Sequence, residues 1–213
     1  MKKVQVKGFT LAEVLITLGI IGVVSAMTLP NLINNIKKNQ LKVGIKKAYS
    51  TLGQALKRIE EEDGMPITPS NIDGTFMTRL TQYLNVSDSD LMPYSEKNAV
   101  YTTYNDGTCY FGSIIDDGNF IISDGMTIFI ENNNGPIYLS IDINGYYKEP
   151  NKWGHDLFTF QIIDNGFLLP VGHSKSNYTN HGAYCSSTSS SYYNGVSCAY
   201  RALNEDDYFI NLP

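Results

Sequence analysis

From Phe9 to Leu29 the chain is apolar, with a single charge, Glu13, inside the run. As a helix, at about 1.5 Å per residue, this stretch spans about 31 Å, enough to cross a bilayer core. Beyond Pro30 the helical pattern continues with a different character. Leu41, Ile45, Ala48, Tyr49, Leu52, Leu56 and Ile59 recur at spacings of three and four, opposite a Lys/Arg-rich face, which predicts an amphipathic stem. Glu60-Glu61-Glu62-Asp63, Gly64 and Pro66 end it. Acids in a last turn oppose the helix dipole, so a frayed end is expected.

A short second helix is predicted over 70–86, with Phe76, Leu80, Tyr83 and Leu84 on one face. The pattern then shortens to strands and tight turns. Residues 110–115 and 120–123 flank Asp116-Asp117-Gly118-Asn119. Residues 127–131 and 137–143 flank Asn132-Asn133-Asn134-Gly135. Residues 157–163 and 167–169 flank Asp164-Asn165-Gly166. Each is a hairpin signal, with Asn or Gly supplying positive φ. A long N-terminal helix packed on an antiparallel β-sheet head, an α+β fold, is the architecture this predicts. Residues 171–200 read as a long surface loop.

Three readings fit the N-terminal run. Three lysines (Lys2, Lys3, Lys7), an apolar core and small residues at Val24-Ser25-Ala26 fit a secretory signal peptide, but Glu13 does not, because such cores are normally uncharged. A membrane anchor fits the length, and the same length speaks against a buried helix of a soluble protein. Lysines flank both ends of the run, so counting them does not fix its orientation. A carboxylate in such a stretch needs a partner, and nothing within this helix supplies one.

The segment KGFTLAEVLITLGIIGVVSAMTLP resembles the N-terminus of type IV pilins and of the pseudopilins of type II secretion systems. The likeness covers about the first 30 residues and, as an architecture, extends to residue 63. It implies that Gly8 ends a leader cut by a prepilin peptidase on the cytoplasmic face. Phe9 becomes the N-methylated terminus, Glu13 the assembly carboxylate and Pro30 a helix kink. In that picture the partner of Glu13 is the ammonium of Phe9 on a neighbouring subunit. The competing reading is a carboxylate that snorkels to the headgroups. The implied segments are a leader at 1–8, a transmembrane and filament-core helix at 9–29, an amphipathic stem at 30–63 and a pilin-like head at 64–213.

Composition narrows the head's role. The chain has 213 residues and a net charge of −5. From Gly64 onward six basic residues face sixteen acidic ones. That balance disfavours bulk nucleic-acid binding. Cys185 and Cys198 frame the polar segment SSTSSSYYNGVS, which has little to pack with and calls for a staple. A disulfide closing such a loop contributes about 3 kcal/mol, and it also resembles the disulfide-bounded region of many pilins. Two free thiols remain the alternative; His173 and His181 are near, but zinc-type CxxC spacing is absent. Cys109 reads as a small buried hydrophobe.

The stretch DINGYYKEPNKWGHDLFTF loosely resembles part of the C-terminal half of pseudopilins. In the major pseudopilins this neighbourhood can carry calcium. The oxygen-bearing candidates here are Asp142, Asn144, Asn151 and Asp156. EF-hand spacing is absent, and loop Asp and Asn residues commonly form turns, so no metal and no cofactor are assigned from sequence. No GxSxG, HExxH or P-loop pattern occurs, and His155, His173 and His181 all sit in loop-like contexts. An aromatic loop of Tyr184, Tyr192 and Tyr193 is a weak candidate ligand surface.

The sequence therefore reads as a structural subunit and not an enzyme. It is a single-pass inner-membrane protein with its head in the periplasm or exterior, which passes into a filament. Its implied partners are the prepilin peptidase, other pilin or pseudopilin subunits, the inner-membrane assembly machinery and membrane lipid; no nucleic acid is expected. The rival reading is an anchored binding protein, of adhesin or DNA-uptake type, whose head recognises a ligand.

Overall fold

The computed structural model describes residues 8–88, 101–109, 114–115, 117–132 and 135–212. Residues 1–39 and 40–213 form two separate units. Helix α1 (Leu11–Asp63) begins in the first and ends in the second. Pro30 lies inside α1. Having no N–H, it cannot bond back to the carbonyl of Ala26. Residues 1–7, most of the expected leader, lie outside the described residues.

In the second unit the expected stripe of α1 is buried. Ile45, Ala48, Leu52, Ala55, Leu56 and Ile59 face the core, with Leu41 and Tyr49 packed at its edge. The acidic end of α1 has partners. The Arg79 guanidinium donates to both carboxylate oxygens of Asp63, at 2.8 and 2.6 Å, and Glu60 Oε1 accepts from the Ile67 N–H at 3.3 Å. Charge that opposes the dipole is thus offset by a cation from α2 (Phe76–Tyr83). That helix is shorter than the sequence pattern suggested, because residues 69–71 form a turn. Phe76, Leu80 and Leu84 are buried, with Tyr83 at the core's edge.

Six strands form one antiparallel sheet in chain order: β1 (Val86–Asp88), β2 (Gly118–Ile122), β3 (Thr127–Glu131), β4 (Ile137–Asp142), β5 (Leu157–Ile162) and β6 (Leu168–Pro170). Two of the expected hairpins, β3–β4 and β5–β6, occur as read. The first falls on residues 110–113, which lie outside the described residues; Ile114 sits in a turn. Strand β2 instead pairs with β3 across Ser123-Asp124-Gly125-Met126 and with β1 on its other side. The Gly125 turn, with φ +87, closes this hairpin.

Both faces of the sheet are covered, which is why β3, β4 and β5 are buried at every position. One face gives Phe120, Ile122, Ile128, Ile130, Leu139, Ile141, Phe158, Phe160 and Ile162 to the cluster that holds the α1 stripe. The other gives Phe129, Tyr138 and Leu157 to a cluster with Tyr101, Trp153, Val171 and Val196. Polar side chains on this second face bond one another. Ser140 and Thr159 hydroxyls are 2.8 Å apart, and the Trp153 indole N–H donates to Thr159 at 3.1 Å. Buried polar groups need such partners.

Residues 171–200 are not a surface loop. The segment contains α3 (His181–Tyr184) and leads into α4 (Cys198–Asn204). Val171, Asn194, Val196, Ser197 and Cys198 are buried. Gly195, at φ +113, lies against Trp153 so closely that a side chain there would overlap the tryptophan backbone. The polar composition hid this packing because the segment satisfies itself. The Asn194 side chain donates to Ser186 O at 2.8 Å and to Asn105 Oδ1 at 3.0 Å.

Candidate functional site

The connection from β4 to β5 gathers the four oxygen-bearing candidates of the sequence. Asp142 ends β4 and Asp156 immediately precedes β5; both are fully buried. Asp142 Oδ1 accepts from the N–H groups of Asn144 (3.2 Å) and Gly145 (2.9 Å), and Oδ2 accepts from the Tyr101 hydroxyl at 2.7 Å. Asp156 Oδ1 accepts from Lys152 N–H at 2.7 Å, and Oδ2 from Asn151 N–H at 2.9 Å. Gly145 makes the turn possible. Its φ is +82, and a Cβ would run into the Gly125 carbonyl. A cis peptide joins Glu149 to Pro150, and Asn151 follows with φ 51.

Among the described residues no cation ion-pairs with either carboxylate. Lys152, the nearest in sequence, pairs with Asp106 at 2.6 Å instead. Burial raises the pKa of both acids. For Asp142 the charge of Asp156 adds to the rise, against the Tyr101 hydroxyl and the two backbone donors. For Asp156 the backbone donors and the Asn144 side chain oppose it. The Tyr101 hydroxyl is itself held well above its ordinary value, by burial first and then by Asp142.

Two amide oxygens in the same turn, Asn144 Oδ1 and Asn151 Oδ1, are buried without a hydrogen-bond partner. Their orientation is set by the other end of each amide. Asn144 Nδ2 donates to the carbonyls of Lys148 (3.0 Å) and Glu149 (3.3 Å), and Asn151 Nδ2 to that of Tyr146 (2.9 Å). Two carboxylates and two amide oxygens are donors that hard cations accept, but each carboxylate oxygen already accepts from an N–H or a hydroxyl. Among the described residues no group of three or more His, Cys, Asp or Glu side chains is placed to hold a metal ion. Tyr101 was invisible to sequence reading. It lies 41 residues from Asp142, in no motif.

The other candidate site is the start of α1. Phe9 is 90% exposed, and the apolar side chains from Leu11 to Ile36 are exposed within their own unit. The Thr10 N–H and hydroxyl both donate to Glu13 Oε2 at 2.8 Å, and the Glu13 N–H donates back to the Thr10 hydroxyl at 3.2 Å. This is a capping box, which satisfies N–H groups that a helix start leaves free. Its Thr-x-x-Glu signature stands in the sequence and was overlooked there. Contrary to the sequence-based expectation, Glu13 therefore has a local partner, a neutral one; no cation pairs with it among the described residues. By length and composition α1 has one segment able to cross a membrane.

Residues 4–29 match the family model described as the prokaryotic N-terminal methylation motif. The chain carries a prepilin-type methylation motif. No curated protein and no solved structure matches it. The methylation motif marks a pilin-like or pseudopilin-like precursor and spans Gly8, Phe9 and Glu13; Pro30 lies one residue beyond its matched end.

The head of this motif-bearing chain places the remaining candidates apart from the β4–β5 turn. Cys185 and Cys198 form a disulfide, with Cα atoms 5.1 Å apart. They are therefore not thiolates for zinc. The His181 ring lies 3.3 Å from the Ser197 hydroxyl. Cys109 is a free, buried thiol whose pKa burial pushes well up. Tyr184 and Tyr193 are half-buried and both pack on Tyr178, at centroid distances of 5.0 and 5.5 Å. Tyr192 stays outside, 64% exposed.

Proposed function

We propose that the chain is a structural subunit of a type II secretion pseudopilus or a type IV pilus, acting by polymerisation and not by chemistry on a substrate. The observation that carries this reading is the methylation motif at residues 4–29, set on a helix start whose one carboxylate has no cation as partner among the described residues. In this reading the prepilin peptidase hydrolyses the Gly8–Phe9 bond and the new Phe9 amine is methylated. The exposed apolar face of residues 11–36 holds the precursor in the inner membrane and later packs against other subunits. Glu13 of one subunit faces the Phe9 ammonium of the next. A charge pair in such a low-dielectric bundle sets helix register, because a misplaced subunit leaves both charges uncompensated. The head stays in the periplasm or exterior, where an oxidising compartment suits the Cys185–Cys198 disulfide.

The test is assembly of a Glu13→Ala variant, expressed with its native secretion or pilus machinery. The expected result is normal membrane insertion and loss of subunits from sheared filaments. Filaments that incorporate the variant at the wild-type level would overturn the pairing.

A further inference from the structure

We propose that the groove between α1 and the β5–β6 turn receives residues 29–37 of a second copy, parallel to α1, with Lys37 of that copy beside Glu61. The inference rests on the assembly reading and names the surface that takes the neighbouring helix.

The groove encloses about 730 Å³. Leu56 and Leu168, both buried, form its floor, and Phe167 stands beside it, 63% exposed. Gly53 opens it. A glycine inside a helix weakens that helix relative to alanine, yet a Cβ at Gly53 would meet nothing within 4 Å in its own chain. No contact among the described residues asks for the missing side chain. A second helix laid along the groove does, because small residues let two helix backbones approach closely.

The segment that fits carries a one-sided apolar stripe. The run from Phe9 to Leu29 already suffices to cross a bilayer core. Beyond it polar residues return, but Leu32, Ile33 and Ile36 continue from Leu29 at helical spacing and are about half exposed in their own unit. Anchors at i, i+3, i+4 and i+7 are how an amphipathic helix fills an apolar groove. Lipid tails end with the span at Leu29, which leaves this stripe to a protein partner.

Charge fixes direction and register. Copies that share a membrane orientation present parallel helices. Leu29 to Lys37 and Gly53 to Glu61 are both steps of eight residues. With Leu29 at Gly53, Leu32 lies level with Leu56 and Lys37 with Glu61. Both of these charges are exposed and in no ion pair among the described residues. The groove's two cations also find matches in this register. Lys57 comes level with Ile33, along which its alkyl stem can lie, and Arg58 with the amide of Asn34. Groove and stripe are different surfaces of one chain. A contact between them is heterologous, and repeated without closing it builds an open helical array.

The experiment expresses full-length variants with the native assembly machinery and compares immunoblots of sheared filaments with those of membranes. Gly53→Leu fills the groove. Its thermal midpoint in detergent should equal or exceed that of the wild type, while its level in filaments falls about tenfold or more. Lys37→Glu and Glu61→Lys should each lower incorporation, and the double variant, which restores the pair between copies, should regain it. Incorporation of Gly53→Leu at the wild-type level would overturn the proposal and leave the stripe to lipid headgroups or another protein. A double variant no better than either single one would overturn it equally. Both results leave the assembly reading standing. A wild-type chain that never enters filaments would overturn that reading, and this contact with it.

Discussion

The backbone N–H and hydroxyl of Thr10 converge on a single oxygen of Glu13, each at 2.8 Å. The carboxylate is thereby turned back toward Thr10, next to Phe9, where the proposed cleavage would create a new amine. Replacing Thr10 by Val keeps shape and removes the hydroxyl. Thr10→Val should insert normally and enter filaments at a reduced level, whereas Thr10→Ser should assemble like the wild type. Immunoblots of sheared filaments read both; equal incorporation of the two variants would show that the cap is irrelevant to assembly.

Burial and surface charge on α1 should separate cleanly in stability. Leu52 is fully buried against the sheet, and Leu52→Ala should cost about 2–5 kcal/mol. Lys47 pairs with Asp124 at 2.7 Å on the surface, and Lys47→Ala should cost less than about 1 kcal/mol. Urea titration of the detergent-solubilised chain, followed by Trp153 fluorescence, measures both. A Lys47→Ala loss as large as that of Leu52→Ala would mean that the stem is held by charge and not by its apolar stripe.

Cys185 and Cys198 are 13 residues apart and both buried. Reduction, or the double Cys→Ala variant, should lower head stability by about 3 kcal/mol. The midpoint of denaturant unfolding with and without reductant checks this. Because Asn194 and Gly195 tie the same segment to Asn105 and Trp153, the reduced head should keep native far-ultraviolet circular dichroism without denaturant.

Tyr101 reaches Asp142 across the sheet's second face, and it donates the bond that holds Oδ2. Removing the hydroxyl leaves that buried carboxylate oxygen without its donor, a loss of about 1–3 kcal/mol. Tyr101→Phe should lower head stability by this amount while its secondary structure stays intact. An unchanged urea midpoint would show that Asp142 does not depend on Tyr101.

The legible parts of this fold were those written in local periodicity. The spacing of Ile45, Leu52, Leu56 and Ile59 revealed the buried side of α1, and Asp164-Asn165-Gly166 revealed the β5–β6 turn. What failed depended on distant partners. The end of α1 looked frayed because Arg79, which neutralises Asp63, comes from another helix. The segment from 171 to 200 looked like a loop because its polar side chains bond Asn105 and one another instead of water. The four oxygen donors of the β4–β5 turn were legible as residue types. Their hydrogen-bonded setting was not, since it depends on Gly145 packing against the Gly125 turn and on Tyr101 from a remote segment. The Thr10–Glu13 box was present in the letters and obscured by the larger hydrophobic signal around it.

Intact mass spectrometry of the protein extracted from membranes of its native host tests the central claim most directly. The account predicts a chain that begins at Phe9 and carries one added methyl group. A chain that begins at Met1, or at a residue beyond Ala26, would contradict it.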